Sequence, residues 1–228
     1  MTKSVWRAAR RDVPEALTER QLARGLAYLA ERDGDLAAIL KQLGAPPLWE
    51  RERGFPTLIN IILEQQISLA SAKAAFERLL AAASPLTPRR FLEFDDETLK
   101  RIGFSRQKTV YGRHLAEAIV DGRLDLEALD AMPDAEVKTE LMKIKGIGAW
   151  TADIYLLRAL LRPDAWPSGD LALAIALQEV KRLDVRPTPD ALEALSTVWK
   201  PWRAVAARLL WHFYLCVPRP KVTSLKAV

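Results

Sequence analysis

Apolar residues recur every three to four positions along most of this chain, and the strict alternation that marks a half-buried β-strand is almost absent. No internal repeat and no low-complexity segment interrupts this pattern. The sequence therefore predicts an all-α protein. The predicted helices cover residues 17–30, 34–43, 95–102, 107–121, 126–129, 135–144, the stretch that follows Gly148, 171–181, 189–198 and 201–215. Residues 55–83 form a long apolar segment that opens with Pro56 near a first turn.

One short stretch, KIKGIGAWTADIY at 143–155, predicts two helices joined by a tight turn. Gly146 and Gly148 are separated by a single residue, and two glycines so close permit a bend that other residues resist. The second helix begins just after them, so its unpaired backbone N–H groups lie beside the open turn and can bind an anion such as a phosphate. An ordinary corner between two helices also uses glycine, but Lys143 and Lys145 favour phosphate binding.

Composition narrows the class of protein. The chain has 228 residues, of which 50% are hydrophobic and 28% are charged, as in an ordinary soluble domain. No apolar run reaches membrane-spanning length, and the basic N-terminus lacks the apolar core of a signal peptide, so a cytoplasmic protein is expected. The single Cys216 excludes an intramolecular disulfide and a cysteine-ligated zinc or iron–sulfur site. The net charge of +5 favours a polyanionic partner only weakly, because a basic solvated surface explains it equally well.

A second feature is WPSGDLAL at 166–173, in which Asp170 follows a glycine and precedes an apolar helix. An aspartate in this position is explained simply as a helix N-cap. It lies about twenty residues after the hairpin, one helix away. A helix of that length could bring the chain back over DNA that the hairpin holds, so a functional role for Asp170 is the second interpretation.

Four elements in this order resemble the helix-hairpin-helix–Gly/Pro–Asp superfamily of DNA glycosylases: LEQQISLASA at 63–72, the hairpin KIKGIGAWTA, PSGD, and WKPWR at 199–203. Together they lie within residues 55–211, about two-thirds of the chain. WKPWR is similar to the bacterial 3-methyladenine DNA glycosylase II branch of the superfamily. The chain resembles a short form of that branch, without its N-terminal β-containing domain.

The resemblance implies two helical lobes that flank a DNA-binding cleft. One lobe would be formed by residues 54–162 and would carry the hairpin. The other would combine residues 1–53 with residues 163–228 and would carry Asp170 at the edge of the cleft.

An enzyme of this superfamily must extract a base from the stack before it can reach the glycosidic bond. The resemblance implies that the hairpin holds a backbone phosphate and that a turn at Gln65 and Gln66 enters the duplex. Gln66 would take the inserting position, where its amide could hydrogen-bond the orphaned base; two solvent-facing glutamines in a helix are the simpler alternative. The implied phosphate-binding residues are Lys145, Gly146, Gly148 and Thr151.

Asp170 is then the implied catalytic residue. Loss of a purine builds positive charge on the sugar, and a nearby carboxylate stabilises that charge, orients the attacking water, or does both. Trp150 stands where strand-cutting members of the superfamily carry a lysine that forms a Schiff base, so this chain is expected to leave the strand intact. Asp153 and Asp164 are interpreted as helix and turn residues rather than as a general acid.

Trp150 also indicates the substrate. An electron-rich indole attracts a cationic base with about 0.5–2 kcal/mol. Purines alkylated at ring nitrogens, such as 3-methyladenine and 7-methylguanine, carry that charge. Trp199 and Trp202 are interpreted as core residues. The implied base pocket consists of Trp150, Trp211, Tyr155 and Phe55.

The resemblance implies an enzyme that needs no cofactor and holds no iron–sulfur cluster. It leaves open a structural monovalent cation at the hairpin. The expected partner is double-stranded DNA containing alkylated bases, bound by a monomer in a bacterial-type cytoplasm, at the nucleoid. Two alternatives remain: a glycosylase for another damaged purine, and a non-catalytic DNA-structure binder, which would not need Asp170. The carbonyls that would hold the cation belong to Met142, Ile144 and Ile147.

Overall fold

The computed structural model describes residues 13–218, and all regular structure in that range is helical. No strand occurs among these residues, and none of their helices is long and apolar enough to cross a membrane. The prediction of an all-α protein is confirmed. The helices are α1 (Glu19–Arg32), α2 (Gly34–Leu43), α3 (Phe55–Glu64), α4 (Leu69–Ala82), α5 (Pro88–Glu93), α6 (Asp96–Ile102), α7 (Arg106–Val120), α8 (Asp134–Met142), α9 (Ala149–Arg158), α10 (Leu171–Val180), α11 (Pro189–Ser196) and α12 (Arg203–Cys216), with 3-10 turns at Ala128–Ala131 and Thr197–Trp199.

The long apolar segment at 55–83 forms two helices, α3 and α4, which a turn at 65–68 separates; the resemblance implies a turn at Gln65 and Gln66, and the structure has one there. Gln66 has a φ of +57°, in the left-handed region through which an α-helix cannot continue. Ser68 then starts α4, because its hydroxyl accepts a hydrogen bond from the backbone N–H of Ser71 at 3.2 Å. Residues 65–68 are called the insertion turn below.

Two shorter elements differ from the predictions. The apolar pattern does not predict α5, which holds only six residues and begins at Pro88, directly after the capping residue Thr87. The short helix predicted at 126–129 is instead the 3-10 turn Ala128–Ala131. Neither difference alters the hairpin or the segment around Asp170.

The helices pack in two groups. In the first, α3 contacts α4, α7 and α9, while α5 and α6 pack on α7, and α8 packs on α9. In the second, α12 contacts α1, α2 and α10. Residues 1–12 and 219–228, which the sequence assigns to the second lobe, lie outside the described residues, and the lobe bounds of 54–162 and 1–53 plus 163–228 stay a prediction.

A buried arginine joins the two groups. Arg208 of α12 is 0% exposed, and its guanidinium donates to the carbonyls of Leu48, Ala204 and Leu157 at 2.7–3.0 Å. Burial, and to a lesser extent the neighbouring charge of Arg158, lowers the pKa of Arg208 to about 9, which leaves it charged at neutral pH. The end of α9 is thereby fixed against α12, and these two helices carry the tryptophans of the site.

A second buried charge fixes the start of α2 within the second group. The Asp33 carboxylate accepts hydrogen bonds from Lys181, which follows α10, and from the indole of Trp199. Burial by itself would raise the pKa of Asp33, but these hydrogen bonds outweigh it and hold that pKa below its usual value. Trp199 is 1% exposed, which confirms its interpretation as a core residue.

Candidate DNA-binding and active site

The hairpin comprises residues 143–148, between the end of α8 and the start of α9. Its two glycines have different roles. Gly146 has a φ of +97°, and a Cβ there would lie 2.1 Å from Cγ of Tyr111, so a side chain is excluded by backbone conformation and by space. Gly148 has a φ of −97°, and a Cβ there would meet no atom within 4 Å. Gly146 therefore lets α7 approach the hairpin, while Gly148 keeps the start of α9 open.

The start of α9 offers backbone donors to an anion. Gly148 is the N-cap and supplies no side-chain cap, and the first intrahelical hydrogen bond runs from the N–H of Ala152 to the carbonyl of Gly148. The four N–H groups before it, those of residues 148–151, are the ones that an α-helix leaves without an internal partner. Together with the helix dipole they form a site suited to phosphate.

The side chains predicted to bind phosphate are only partly available. Lys145 is exposed, and no ion pair involves it within the described part of the chain. Lys143 is paired with Glu140 at 2.6 Å, so it adds little net charge to the hairpin. Thr151 is 2% exposed, and its hydroxyl accepts a hydrogen bond from Gln65. The phosphate-binding role of Thr151 stays a prediction and falls to its backbone N–H, because its hydroxyl is bonded inside the protein.

The insertion turn is attached to the hairpin by Gln65. Its Nε2 donates to the carbonyl of Gly146 at 3.0 Å and to Oγ1 of Thr151 at 2.9 Å, which uses both amide hydrogens. The prediction that Gln65 enters the duplex is corrected, because its amide is held inside the protein. Gln66 is exposed at the tip of the turn, and the exposed side chains of Ile67 and Leu69 follow it.

Asp170 accepts three N–H hydrogen bonds. Its Oδ1 accepts from the backbone N–H of Leu173 at 2.9 Å and from Nε1 of Trp211 at 3.1 Å. Its Oδ2 accepts from Nε1 of Trp150 at 3.0 Å. The bond from Leu173 makes Asp170 the N-cap of α10, as the simpler interpretation of the sequence predicts. The indole N–H groups of Trp150 and Trp211 are additional donors to the same carboxylate.

These donors come from three helices. Trp150 is the second residue of α9, Trp211 belongs to α12, and Leu173 belongs to α10. A carboxylate has about four acceptor positions, and three of them are occupied here, so one position on Oδ2 remains for a ligand. Asp170 is 9% exposed, so that position lies in a largely enclosed environment where charges interact strongly.

The two tryptophans differ in accessibility. Trp150 is only partly buried, so its ring retains surface for a base. Trp211 is 6% exposed, and the guanidinium of Arg158 lies 5.2 Å from the centroid of its ring, an approach suited to a cation–π contact. The sequence pattern does not predict the contact between Arg158 and Trp211. The spacing of residues along α9 carries no information about which residues of α12 pack against that helix.

Two residues of the predicted base pocket belong to the core instead. Tyr155 is 0% exposed, and its hydroxyl accepts a hydrogen bond from the N–H of Gly54 at 3.1 Å. Phe55 is 4% exposed and packs edge-on against Phe91 at 5.7 Å. Five residues along α9 correspond to a rotation of about 140°, so Tyr155 faces away from Trp150. The predictions for Tyr155 and Phe55 are therefore corrected.

The other two aspartates considered as general acids have basic partners. Asp153 lies 2.8 Å from Nζ of Lys138. Burial raises the pKa of Asp153 to about 6, although Lys138 acts in the opposite direction. Asp164 accepts hydrogen bonds from the backbone and the guanidinium of Arg203. Neither carboxylate is among the groups that contact Asp170.

An all-helical fold that combines an anion-binding hairpin with a constrained carboxylate is characteristic of a helix-hairpin-helix DNA repair protein. Comparison with known proteins gives the family. Residues 59–202 match the family model described as HhH-GPD superfamily base excision DNA repair protein. This chain therefore belongs to the HhH-GPD superfamily, and the resemblance inferred from its sequence elements is confirmed.

Several curated relatives are similar over most of the chain. DNA-3-methyladenine glycosylase 1 of Schizosaccharomyces pombe (strain 972 / ATCC 24843) is 30% identical, over 71% of this chain and 73% of that protein. The alkylbase DNA glycosidase-like protein mag2 of the same yeast is 28% identical, over 81% of this chain and 90% of that protein. The YfjP protein of Bacillus subtilis (strain 168) is 30% identical over 78% of this chain, which spans 64% of that protein's length.

Solved structures share the fold. The Schizosaccharomyces pombe 3-methyladenine DNA glycosylase Mag1, in complex with abasic DNA, matches with a TM-score of 0.79 and 26% identity. This match covers 87% of this chain and 100% of that chain. A DNA-3-methyladenine glycosidase from Bacillus halodurans matches with a TM-score of 0.68 and 27% identity, over 85% of this chain and 88% of that chain.

The two hairpin glycines should respond differently to a methyl group. Gly146→Ala should lower the free energy of unfolding by about 2–4 kcal/mol, because it adds backbone strain and a clash with Tyr111. Gly148→Ala should change stability by less than about 1 kcal/mol. It should nevertheless weaken binding to damaged and undamaged duplexes alike, since a methyl group would stand beside the phosphate site and phosphate contacts carry little sequence information. Urea unfolding measures the free energy of unfolding, and fluorescence anisotropy at fixed salt measures the DNA affinity. Unchanged DNA affinity in Gly148→Ala would refute the phosphate site.

Proposed function

We propose that this protein is a monofunctional DNA glycosylase that hydrolyses the N-glycosidic bond of alkylated bases in double-stranded DNA, as a step of base excision repair. The observation that carries this proposal is the Asp170 carboxylate, held by two indole N–H groups beside an anion-binding hairpin. The names of the relatives, which include 3-methyladenine DNA glycosylases of yeast, support the same activity.

The arrangement fits the chemistry of base loss. Departure of the base builds positive charge on the sugar, which an anion in a poorly solvated site stabilises strongly. The three N–H donors fix the orientation of the Asp170 carboxylate. The open acceptor position on Oδ2 is where the charged sugar or an attacking water would meet it, so the carboxylate can stabilise charge, orient water, or do both.

The residues around Asp170 suit bases that are good leaving groups. Purines alkylated at ring nitrogens are cationic and need little help from a general acid, and the aspartates considered for that role are paired with Lys138 and Arg203. The partly buried ring of Trp150 offers a surface for cation–π contact with such a base. These features favour 3-methyladenine and 7-methylguanine over uncharged oxidised or deaminated purines.

Trp150 also determines whether the DNA strand is cut after the base has left. A Schiff base requires an amine at the reacting carbon, and the indole supplies none. The product is therefore an abasic site in an intact strand, and borohydride should trap no covalent complex with the protein.

The proposed reaction needs no cofactor from outside the chain. A structural monovalent cation at the hairpin remains part of the proposal, held by the carbonyls of Met142, Ile144 and Ile147. The carbonyl of Ile144 accepts a hydrogen bond from the N–H of Ile147 at 3.0 Å and keeps a second lone pair for such an ion.

We propose that the enzyme acts as a monomer on DNA in the cytoplasm.

The direct test of the function replaces Asp170 with Asn. Single-turnover excision from a methylated duplex, followed by chromatography of the released bases, should slow by a factor on the order of 100 or more, because the anion that faces the sugar is lost. DNA affinity should persist or increase, since one negative charge leaves the binding surface. An Asn variant that retains most of the wild-type rate would leave Asp170 with only its capping role.

Lesion-bearing duplexes with uncharged purines, assayed in parallel, test the alternative substrates. A wild-type protein that binds DNA but releases no base would indicate the non-catalytic binder.

Trp150→Phe separates stacking from hydrogen bonding. Phenylalanine keeps an aromatic face but cannot donate to Asp170, so excision should fall about 10- to 100-fold, the usual effect of losing a hydrogen bond to a charged group. Trp150→Ala should lose more, because the aromatic face disappears as well. Trp202→Phe, at another partly buried tryptophan, serves as the matched control. Wild-type excision by Trp150→Phe would show that the indole acts only by stacking.

A further inference from the structure

A cavity of about 330 Å³ opens between the insertion turn, the hairpin and the first turns of α7. Helix α7 contributes Gln107, Lys108 and Tyr111 to its wall. None of the described residues that line the cavity is acidic. Its position matters, because its lining includes Gly146, Ile147 and Gly148 of the hairpin, directly before the backbone donors at the start of α9, and also Gln66, the residue expected to enter the duplex.

The α7 wall presents hydrogen-bond donors. Nε2 of Gln107 donates to the hydroxyl of Tyr111. Because this hydroxyl accepts, its own hydrogen is free to be donated elsewhere, and Gln107 keeps its second amide hydrogen. Gln65 differs, since both of its amide hydrogens are already donated inside the protein.

The third α7 residue has a different role. Lys108 is 8% exposed, and its Nζ donates to the carbonyl of Leu63 at 2.7 Å. It therefore fixes the end of α3 directly before the insertion turn. Burial lowers the pKa of Lys108 from its ordinary value.

We propose that Gln107 and Tyr111 bind a backbone phosphate of the DNA strand held by the hairpin. This inference rests on the proposed function, because it requires the hairpin and the insertion turn to engage one duplex. The strand between these two elements must then pass through the cavity. An amide hydrogen and a hydroxyl hydrogen suit phosphate oxygens, which only accept, and the absence of an acidic group among the described lining residues leaves an anion unopposed.

A phosphate site made of uncharged donors has a measurable signature. A lysine that neutralises a phosphate releases counterions, so its loss reduces the dependence of affinity on salt by about one unit on a log–log plot. An amide or a hydroxyl releases none. Removing Gln107 or the Tyr111 hydroxyl should therefore weaken binding by a similar factor at every salt concentration.

The test measures fluorescence anisotropy of labelled undamaged duplexes of two different sequences, titrated with the full chain at four salt concentrations. Gln107→Ala and Tyr111→Phe should each weaken binding about 3- to 10-fold, equally for both duplexes and with an unchanged salt slope. Tyr111→Phe keeps the ring that packs against Gly146, so it should preserve the fold. Lys145→Ala should reduce the salt slope by about one.

Gln42→Ala is the matched control, because Gln42 is an exposed glutamine on α2, which contributes nothing to the cavity. If Gln107→Ala and Tyr111→Phe bind like this control, the inference is wrong. A loss that depends on base sequence would also overturn it, since that result would assign the cavity to a base. Release of methylated bases by the wild-type protein, measured alongside, keeps failure of this inference distinct from failure of the proposed function.

Discussion

The hydrogen bonds that hold the Asp170 carboxylate are the constraint on which the rest of the site depends. One donor comes from the start of α9, one from α12 and one from α10, so the carboxylate is oriented only when these three helices are packed correctly. Arg208 helps to keep α12 and the end of α9 together from inside the core. Losing one of the three donors, or the packing that Arg208 maintains, would leave the nearly buried Asp170 carboxylate with fewer hydrogen bonds. A buried charge without its hydrogen-bond partners destabilises the folded protein.

The same constraint connects chemistry with DNA binding. Trp150 lies in the first turn of α9, where the backbone N–H groups face the open hairpin, so phosphate binding and carboxylate orientation involve one turn of one helix. Gln65 bonds the insertion turn to that hairpin through Gly146 and Thr151. The hairpin, the insertion turn and Asp170 are thus connected by direct hydrogen bonds, and such connections would preorganise the three parts of the proposed site.

The sequence predicts the parts of this site that depend on local backbone chemistry. Gly146 and Gly148 mark the tight turn, and Asp170 marks a helix start, because backbone conformation and capping are read from neighbouring residues. The helical pattern likewise predicts the all-α fold. The apolar pattern alone does not show where the 55–83 segment divides, because a left-handed residue such as Gln66 leaves no apolar signal; the turn at Gln65 and Gln66 is implied only by the resemblance.

The remaining errors concern tertiary contacts. Gln65 and Gln66 are identical neighbours in sequence, yet one is bonded to the hairpin and the other is exposed. Tyr155 and Phe55 are aromatic residues that the resemblance assigns to the base pocket, but other helices bury them. The link between Asp170 and Trp211 joins residues 41 positions apart, so no local pattern could indicate it.

The most direct test of the central claim is a nitrogen-15 NMR spectrum of the indole N–H groups. The chain has seven tryptophans, and Trp150→Phe and Trp211→Phe would identify the two signals that matter. With Asp170→Asn, those two signals should move strongly upfield, because their hydrogen bonds lose a charged acceptor, while the signals of distant tryptophans should stay in place. If neither the Trp150 nor the Trp211 signal responds to the loss of the Asp170 charge, the carboxylate is not held by the two indoles.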